Sequence, residues 1–463
     1  MATIDQLTAV GVMPRLSQWD QVKINIFWFA NNFHWIALIS VVIPAQVAVY
    51  FGPENKTTSL PLVLVGGTLV AFVVNPLTGS LSDYMRSRLG RRRPFMIAGT
   101  VVNVLALITF AFVGQSFVTT PLSTASIGKM ALIFLVLQLS NNFANAPWSA
   151  IIADKVPQAQ RGSASGWFGV MTLLGTIFGF LFAGLLVHYG NGAITPAFRA
   201  NFDHQIFVFY LALAAVQAIF VIITVLTVQE TQPAQPLTFT WNDFFRRFRL
   251  ETKRYPDFTW VLLTRVMIMT GIWSVNNFML YYFTDVLKDS NATNDIGLYF
   301  FPIVLTTSLI TTFVGGTLSD KHGRKIMVYL SGAMMTVTCL LFIFAALLST
   351  SSAFAATLIA AGFFGLGYGA YTSVDWALAT DVLPAADQYG KDMGIWSAAG
   401  IIPQVIGVLL GGVIISELHR PGIDPRLGYS VLFGVVVILF GLGTVLVRQV
   451  KGIAEYRELH RAN

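Results

Sequence analysis

Long apolar stretches alternate with short polar ones along almost the whole chain of 463 residues. A helix needs about 20 mostly apolar residues to cross the roughly 30 Å hydrocarbon core of a bilayer, because it rises about 1.5 Å per residue. By this rule the pattern predicts twelve spans and an all-α membrane protein. The predicted spans are 22–50, 59–82, 94–115, 130–153, 162–188, 206–228, 258–286, 296–318, 326–349, 353–381, 393–416 and 428–448.

Composition agrees with a bilayer as the solvent of this chain. Hydrophobic residues make up 55% of it and charged residues only 11%, against about 25% charged in soluble domains. The single cysteine, Cys339, excludes a disulfide framework and a thiolate metal cluster. The sequence offers no metal-ligand cluster, nucleophile–base pair, phosphate loop or ATP-binding motif, so we expect no enzyme, no metal and no cofactor. Residues 1–20 contain three charged side chains, and we expect no cleavable signal peptide.

Basic residues predict the orientation in the membrane. Six of the 29 Lys and Arg fall in the loops of one side: Lys56, Lys129, Arg199, Lys288, Arg420 and Arg426. The loops and tails of the other side hold most of the rest, so the positive-inside rule places that side and both termini in the cytoplasm. We therefore expect a multi-pass protein of the cell (inner) membrane, and the net charge of +7 needs no nucleic acid to explain it. The central cytoplasmic loop, 229–257, is basic and aromatic; it is either a short helix on the headgroups or a solvated linker.

Three sequence marks occur in the same order in both halves of the chain. Trp28–Phe33 matches Trp273–Phe278, Gly79–Asp83 matches Gly316–Asp320, and Ala153–Pro157 resembles Thr380–Pro384. Such a duplication predicts a six-helix half at 1–228, a linker at 229–257 and a six-helix half at 258–463. It also predicts a pseudo-two-fold axis along the membrane normal, with the substrate bound between the halves.

The loops that follow spans 2 and 8 carry a recognisable motif. A G-x-L-S-D turn is followed by Arg86, Arg88, Arg91, Arg92 and Arg93 in the first copy and by Gly323, Arg324 and Lys325 in the second. This G-x-L-x-D…G-R-R/K loop resembles that of the major facilitator superfamily, and it implies the fold of that superfamily and transport by alternating access. The long first copy, together with Leu139–Asn142, Pro147 and Asp154 in span 4, is similar to the glycoside–pentoside–hexuronide and sucrose-type carriers.

Two departures from that resemblance concern charged residues. Sucrose-type carriers have an aspartate just before the span 4 motif and an arginine two residues after its proline, where this chain has Gln138 and Ser149. Sodium-coupled sugar carriers of the group place carboxylates inside spans 2 and 4, and this chain has none there.

Polar side chains recur in spans 1, 4, 7 and 10, which line the central cavity by the superfamily resemblance. Amides both donate and accept hydrogen bonds, which suits sugar hydroxyls, and aromatic faces cover the C–H side of a sugar ring. Alternatively, these polar groups tie helices together. The candidate substrate-binding residues are Asn31, Asn32, His34, Gln138, Asn141, Asn142, Asn145, Trp148, Trp273, Asn276, Asn277, Tyr281, Tyr368 and Tyr371.

Asp375 is the candidate for proton coupling. It precedes the cytoplasmic landmark Asp381 by six residues, or about 9 Å of helix, and an intramembrane carboxylate indicates function by default. The alternative is a structural ion pair with Arg265, although sequence alignment of the halves puts Arg265 near the interface, where it could snorkel. His34 is the second candidate, either as a proton carrier or as a satisfied structural histidine.

The resemblance also implies a gate at the cytoplasmic ends of the helices. Asp83 and Asp320 would clamp the two halves together when the carrier faces outward, and Arg161 could pair with such carboxylates. The full candidate gating set is Asp83, Arg91, Arg92, Asp154, Arg161, Asp320 and Arg324. Glycines at 175, 179 and 184 in span 5 and at 362, 365, 367 and 369 in span 10 predict close helix packing.

These observations favour a secondary carrier of a sugar or glycoside, moved by alternating access in symport with a cation that we expect to be the proton. We expect a monomer in the lipid bilayer, with a small-molecule substrate and no nucleic-acid partner. Two alternatives stay open: a carrier for an amphipathic drug or lipid, and a nutrient sensor that binds without transporting.

Overall fold

The computed structural model describes residues 15–113, 124–157, 160–228, 230, 256–380, 382, 389–419 and 422–451. Within these residues, twelve helices are long and apolar enough to cross a membrane. The predicted number of spans and the all-α fold class are therefore confirmed.

We number the spans 1 to 12 in chain order. Span 1 consists of the α-helix Gln18–Ala37, the π-helical turn Leu38–Val42 and the α-helix Ile43–Phe51. Spans 2 to 7 are Lys56–Tyr84, Arg93–Ala111, Thr124–Lys155, Arg161–Leu186, Pro196–Thr227 and Pro256–Asp285. Span 8 begins with Ala292–Asp295 and the π-helical turn Ile296–Phe300, and continues as Phe301–His322. Spans 9 to 12 are Arg324–Ala345, Thr350–Thr380, Tyr389–Leu418 and Pro425–Leu446, and a 3₁₀ turn at Val447–Gln449 follows.

Several helices extend beyond the apolar stretch that predicted them. Span 6 starts at Pro196 rather than at 206, and its extra turns contain Arg199, Asp203 and His204. An apolar window detects only the part of a helix that lies in hydrocarbon, whereas a helix continues until a cap or a turn ends it. Span 1, for example, begins where the Ser17 hydroxyl accepts a hydrogen bond from the backbone N–H of Asp20, at 3.1 Å.

The two π-helical turns lie just before prolines, Pro44 in span 1 and Pro302 in span 8. Proline lacks an N–H group, and its ring clashes with the carbonyl four residues earlier. A widened turn relieves this clash without ending the helix.

Large apolar side chains cover the outside of the bundle. Leu226, Phe313 and Leu347 are more than 70% exposed, and many other Leu, Ile, Val and Phe side chains are more than half exposed. In water such a surface would drive aggregation, so lipid chains are its natural solvent. The chain is an integral, multi-pass membrane protein.

The chain divides into two compact units. Unit 1 comprises Met1–Leu38, Gly66–Phe182 and Ala197–Trp241, and unit 2 comprises Ile39–Val65, Ala183–Pro196 and Asn242–Asn463. Unit 2 thus includes two segments of the first sequence half: the second part of span 1 with the start of span 2, and the turn between spans 5 and 6. The π-helical turn of span 1 falls at the boundary between the units.

Aromatic side chains lie in the core of unit 1. The rings of Trp28, Trp148 and Phe168 contact one another: the Trp28 centroid lies 4.9 Å from that of Trp148 and 5.1 Å from that of Phe168, and the latter two lie 6.0 Å apart. Glycines allow span 5 to approach span 1 closely: a Cβ on Gly175 would lie 2.4 Å from the carbonyl oxygen of Phe29. A Cβ on Gly179 would lie 2.2 Å from that of Phe33. The predicted packing role of these two glycines is confirmed.

In unit 2, span 10 packs against spans 8 and 9, and span 7 packs against spans 11 and 12. Gly365 and Gly369 form the contact with span 8, where added Cβ atoms would lie 2.2 Å from the carbonyl oxygens of Val304 and Ser308. Gly362 has nothing within 4 Å of its Cβ position, so the packing prediction fails for that residue.

Candidate functional site

Polar side chains of spans 1 and 4 meet inside unit 1. Asn145 donates its amide to Asn31 Oδ1 at 3.1 Å, and Asn142 donates to the backbone and side-chain oxygens of Gln138 at 2.8 and 3.1 Å. Asn32 donates to the carbonyl oxygen of Trp28 at 2.8 Å. Of these bonds, Asn145–Asn31 joins spans 1 and 4, whereas those of Asn142 and Asn32 lie within one helix.

Some amide oxygens in this cluster have no hydrogen-bond partner among the described residues. The Oδ1 atoms of Asn141 and Asn145 are buried and accept no hydrogen bond from any described residue, and the indole N–H of Trp28 is likewise buried without an acceptor. A buried polar atom without a partner costs about 1–3 kcal/mol. Unit 1 therefore presents two acceptors and a donor that a hydroxylated solute could satisfy.

Trp148 lies in the apolar core of unit 1. Its side chain is fully buried and stacks with the rings of Trp28 and Phe168. Its indole N–H donates to the carbonyl oxygen of Ile24 at 2.8 Å. This environment favours the packing role over contact with a substrate. Trp28, which the sequence analysis did not select as a site residue, has the unsatisfied indole instead.

His34 is also fully buried. Its Nδ1 lies 3.2 Å from the carbonyl oxygen of Ala30, and the side chain of Gln217 in span 6 lies beside the ring. Trp35 meets the ring edge-on at 5.5 Å. These contacts hold Nδ1, whereas Nε2 is buried without a hydrogen-bond partner among the described residues, so His34 is only partly satisfied.

In unit 2, span 7 carries polar groups that correspond to those of span 1. The Oδ1 atoms of Asn276 and Asn277 are buried without a hydrogen-bond donor among the described residues. The hydroxyl of Tyr281 is occupied, because it donates to the carbonyl oxygen of Pro44 at 3.0 Å. Trp273 is half-buried one turn from Asn277. Tyr281 therefore has a structural contact, whereas the two asparagines keep free acceptors.

Asp375 pairs with Arg265. The Nη1 of Arg265 donates to Asp375 Oδ2, and each side chain is only 13% exposed. Tyr371 hydrogen-bonds the same carboxylate, and Tyr368 lies close enough to interact with its charge. The guanidinium also lies 3.9 Å from the centre of the Trp396 ring. The side chain of Arg265 is therefore buried against Asp375 and does not snorkel.

The loop after span 2 is held by its own motif residues. The Nη2 of Arg92 lies 2.6 Å from Asp83 Oδ1, and its Nη1 donates to the Ser82 hydroxyl. The second copy repeats the latter contact, since Arg324 Nη1 donates to the Ser319 hydroxyl at 3.1 Å. Gly90 and Gly323 precede these basic runs with φ of +103° and +97°, a conformation that glycine adopts without strain. The duplication is thus visible in local geometry as well as in sequence.

A residue that the sequence analysis missed completes this loop. The carboxylate of Glu230, three residues after the end of span 6, accepts hydrogen bonds from the backbone N–H groups of Arg91, Arg92 and Arg93 at 2.8 to 2.9 Å. An anion is stabilised at a helix N-terminus by such donors and by the helix dipole. The available signal was a lone acidic residue at the start of a basic linker.

Some predicted gating residues cannot be placed. The side chains of Asp154, Arg161 and Asp320, the landmark Asp381 and nearly all of the linker 229–257 lie outside the described residues.

Twelve membrane-spanning helices, polar groups inside each unit and duplicated basic loops define a transporter of the major facilitator superfamily. Residues 52–420 match the family described as MFS/sugar transport protein, and the chain belongs to this family. A family of transporters rather than enzymes agrees with the sequence analysis.

Sugar permeases are among the matched relatives. The general alpha-glucoside permease of Schizosaccharomyces pombe is 30% identical over 142 residues, which are 28% of this chain and 24% of the relative. A sucrose transport protein of Arabidopsis thaliana is 31% identical over 121 residues, 25% of this chain and 24% of that protein. Each alignment therefore spans about a quarter of the relative's length.

Solved structures share the fold at low identity. A mutant of the nucleoside transporter NupG has a TM-score of 0.70 and 13% identity, covering 92% of this chain and 99% of that one. A D-xylose–proton symporter has a TM-score of 0.66 and 16% identity, covering 94% and 99%.

Proposed function

We propose that the protein is a secondary active transporter that moves a sugar or glycoside across the membrane by alternating access, in symport with protons. The family and the sugar permeases among its relatives support a sugar as the cargo. The D-xylose–proton symporter with the same fold makes proton coupling the first hypothesis.

The observation that carries this proposal is that each unit, taken by itself, contains unpartnered amide oxygens: those of Asn141 and Asn145 in unit 1, and those of Asn276 and Asn277 in unit 2. Hydroxyl groups of a sugar donate hydrogen bonds, so each of these acceptors could gain a partner on binding. A neutral, hydroxyl-rich solute also matches a set of amides better than an apolar drug or a lipid chain does.

Binding can be tested by thermal unfolding of the purified protein. Cys339 is fully buried, so a thiol-reactive fluorogenic maleimide reports unfolding at the single cysteine of the chain. We expect a mono- or disaccharide to raise the unfolding temperature by mass action. Stabilisation by amphipathic drugs or lysolipids instead of sugars would refute the sugar assignment.

Removing a site amide should weaken sugar binding. We expect Asn142→Ala and Asn277→Ala to lower affinity by about 0.5–1.5 kcal/mol each, because each removes one hydrogen-bonding side chain. The matched control is Asn294→Ala, since Asn294 is half-buried at the start of span 8 and donates to the carbonyl oxygen of Gly184 at 3.1 Å. It should lower stability and leave affinity unchanged. Normal sugar affinity in both site variants would leave helix packing as their only role.

We also propose that Asp83 contributes to a gate on the cytoplasmic side. Asp83→Asn removes the charge that holds Arg92, so we expect a shift away from the outward-facing state and slower transport with sugar binding retained. Side-specific cysteine accessibility measures the shift. Asp20→Asn is the control, because Asp20 pairs with Lys23 in its own helix at 3.1 Å. Unchanged accessibility with full transport would reduce Asp83 to a residue that stabilises its loop.

The proposed orientation places both termini and the linker 229–257 in the cytoplasm, in accordance with the distribution of basic residues. Glu54 and Leu89 are exposed in turns on opposite sides of span 2. In a Cys339→Ala background, an impermeant maleimide should label Glu54→Cys from outside intact cells and leave Leu89→Cys unlabelled. The reverse pattern would invert the topology.

A further inference from the structure

A lysine that the sequence places in a loop is buried among polar groups. Lys56, the first residue of span 2, is 1% exposed. Its Nζ lies 2.5 Å from Asp285 Oδ1 and 3.1 Å from the Thr284 hydroxyl, and it lies 4.7 Å from the centre of the Tyr281 ring. All three partners are at the end of span 7. The ammonium group is therefore fully coordinated by one neighbouring helix end.

The carboxylate of Asp285 is equally well satisfied. Its Oδ1 also accepts a hydrogen bond from the Thr284 hydroxyl at 2.9 Å, and its Oδ2 accepts one from the Tyr429 hydroxyl at 2.7 Å. Tyr429 is in the first turns of span 12. The ion pair thus joins the starts of spans 2 and 12 to the end of span 7, on the side predicted to be outside.

Backbone contacts at the same end of unit 2 join further segments. The backbone N–H of Asn191 donates to the carbonyl oxygen of Asp289 at 2.6 Å. The Thr293 hydroxyl donates to the carbonyl oxygen of Val187 at 2.5 Å. These contacts join the segment between spans 5 and 6 to the turn after span 7 and to the first residues of span 8. Gly412 of span 11 approaches span 2 so closely that a Cβ there would lie 2.8 Å from the carbonyl oxygen of Thr57. Segments from both halves of the sequence therefore lie close together at this end of unit 2.

Energetics distinguish this ion pair from an ordinary stabilising contact. Desolvation of two buried charges offsets much of their attraction, so such a pair contributes little net stability, while loss of one partner is costly. Lys56 and Asp285 both occupy helix ends, so separation of the helices would return both charges to water. A pair with a small net energy and a hydrated open state suits a contact that breaks and forms repeatedly.

We propose that Lys56 and Asp285, with Tyr429 and Thr284, form an outer latch that closes the outward end of the carrier and opens once in each transport cycle. This inference rests on the proposed function, because only alternating access requires that end to open. The latch sets the equilibrium between the two orientations without touching the solute.

Labelling of a buried cysteine near the latch tests the proposal. Ser59 lies one turn after Lys56 and is 2% exposed, so Ser59→Cys in a Cys339→Ala background reports opening in nanodiscs. We expect Lys56→Gln and Asp285→Asn each to raise the maleimide labelling rate by about tenfold. The double neutral variant should label no faster than the faster single variant, because either change alone breaks the pair.

Two further variants serve as controls. Lys288→Gln removes an exposed lysine three residues from Asp285 and should leave labelling unchanged. Exchange of the charges, Lys56→Asp with Asp285→Lys, should restore slow labelling at least in part. Wild-type rates in both single variants, or fast labelling in the Lys288 control, would overturn the latch. The assay needs no sugar, so a failure of sugar transport would refute the proposed function and leave this result intact.

Discussion

Asp375→Asn should abolish uphill accumulation of the sugar and flatten the dependence of uptake on external pH. If the proton is the coupling ion, a protonatable group must face the transport pathway. Asp375 is a buried carboxylate in a cavity span, and it contacts both Arg265 and Tyr371. Asn cannot bind or release a proton, so the variant should still exchange sugar in counterflow but not concentrate it. Uptake into proteoliposomes, with and without an imposed pH gradient, measures both activities.

The experiment must distinguish a role of Asp375 in proton coupling from a purely structural ion pair with Arg265. Asp375→Asn leaves the buried guanidinium of Arg265 without its counter-charge, which is destabilising by itself. The double variant Arg265→Gln with Asp375→Asn removes both charges and should recover stability, yet it should remain uncoupled. Glu54→Gln removes an exposed carboxylate and should keep full accumulation. Accumulation by Asp375→Asn would make the pair structural, whereas a wild type that ignores the gradient would be a facilitator or would use another ion.

The apolar pattern is sufficient to predict the twelve spans, since a helix in hydrocarbon satisfies its own backbone and leaves a continuous apolar run. The duplicated loop predicts the superfamily for a similar reason: its residues form a local structure, as the contacts Arg92–Ser82 and Arg324–Ser319 show. Local sequence therefore carries the fold and the class of protein.

Contacts between distant segments are less predictable. Lys56 counts as a loop charge in the sequence, which does not show that span 7 places Asp285 beside it. Trp148 is a candidate site residue because its type suits sugar binding, but its side chain is fully buried and stacks with Trp28 and Phe168. Asp375 is the exception, since a buried carboxylate in hydrocarbon needs a cation and Arg265 is available.

Gly369→Ala should destabilise the protein strongly, whereas Gly362→Ala should not. Both glycines are in span 10, so both substitutions gain the same helix propensity, about 1 kcal/mol. A Cβ at position 369 would lie 2.2 Å from the carbonyl oxygen of Ser308, a backbone atom that moves only if spans 8 and 10 separate. Overpacking of this kind costs about 1–3 kcal/mol, and the lost contacts along the rest of the interface add to it.

The buried thiol of Cys339 in span 9 provides the measurement, because its reaction with a fluorogenic maleimide follows thermal unfolding in detergent. We expect Gly369→Ala to lower the unfolding temperature by several degrees and Gly362→Ala to leave it unchanged or raise it slightly. Equal stability of the two variants would show that spans 8 and 10 do not need close contact at position 369. Because Tyr371 and Asp375 follow Gly369 on the same helix, a wider separation should also weaken proton coupling in the folded fraction of Gly369→Ala.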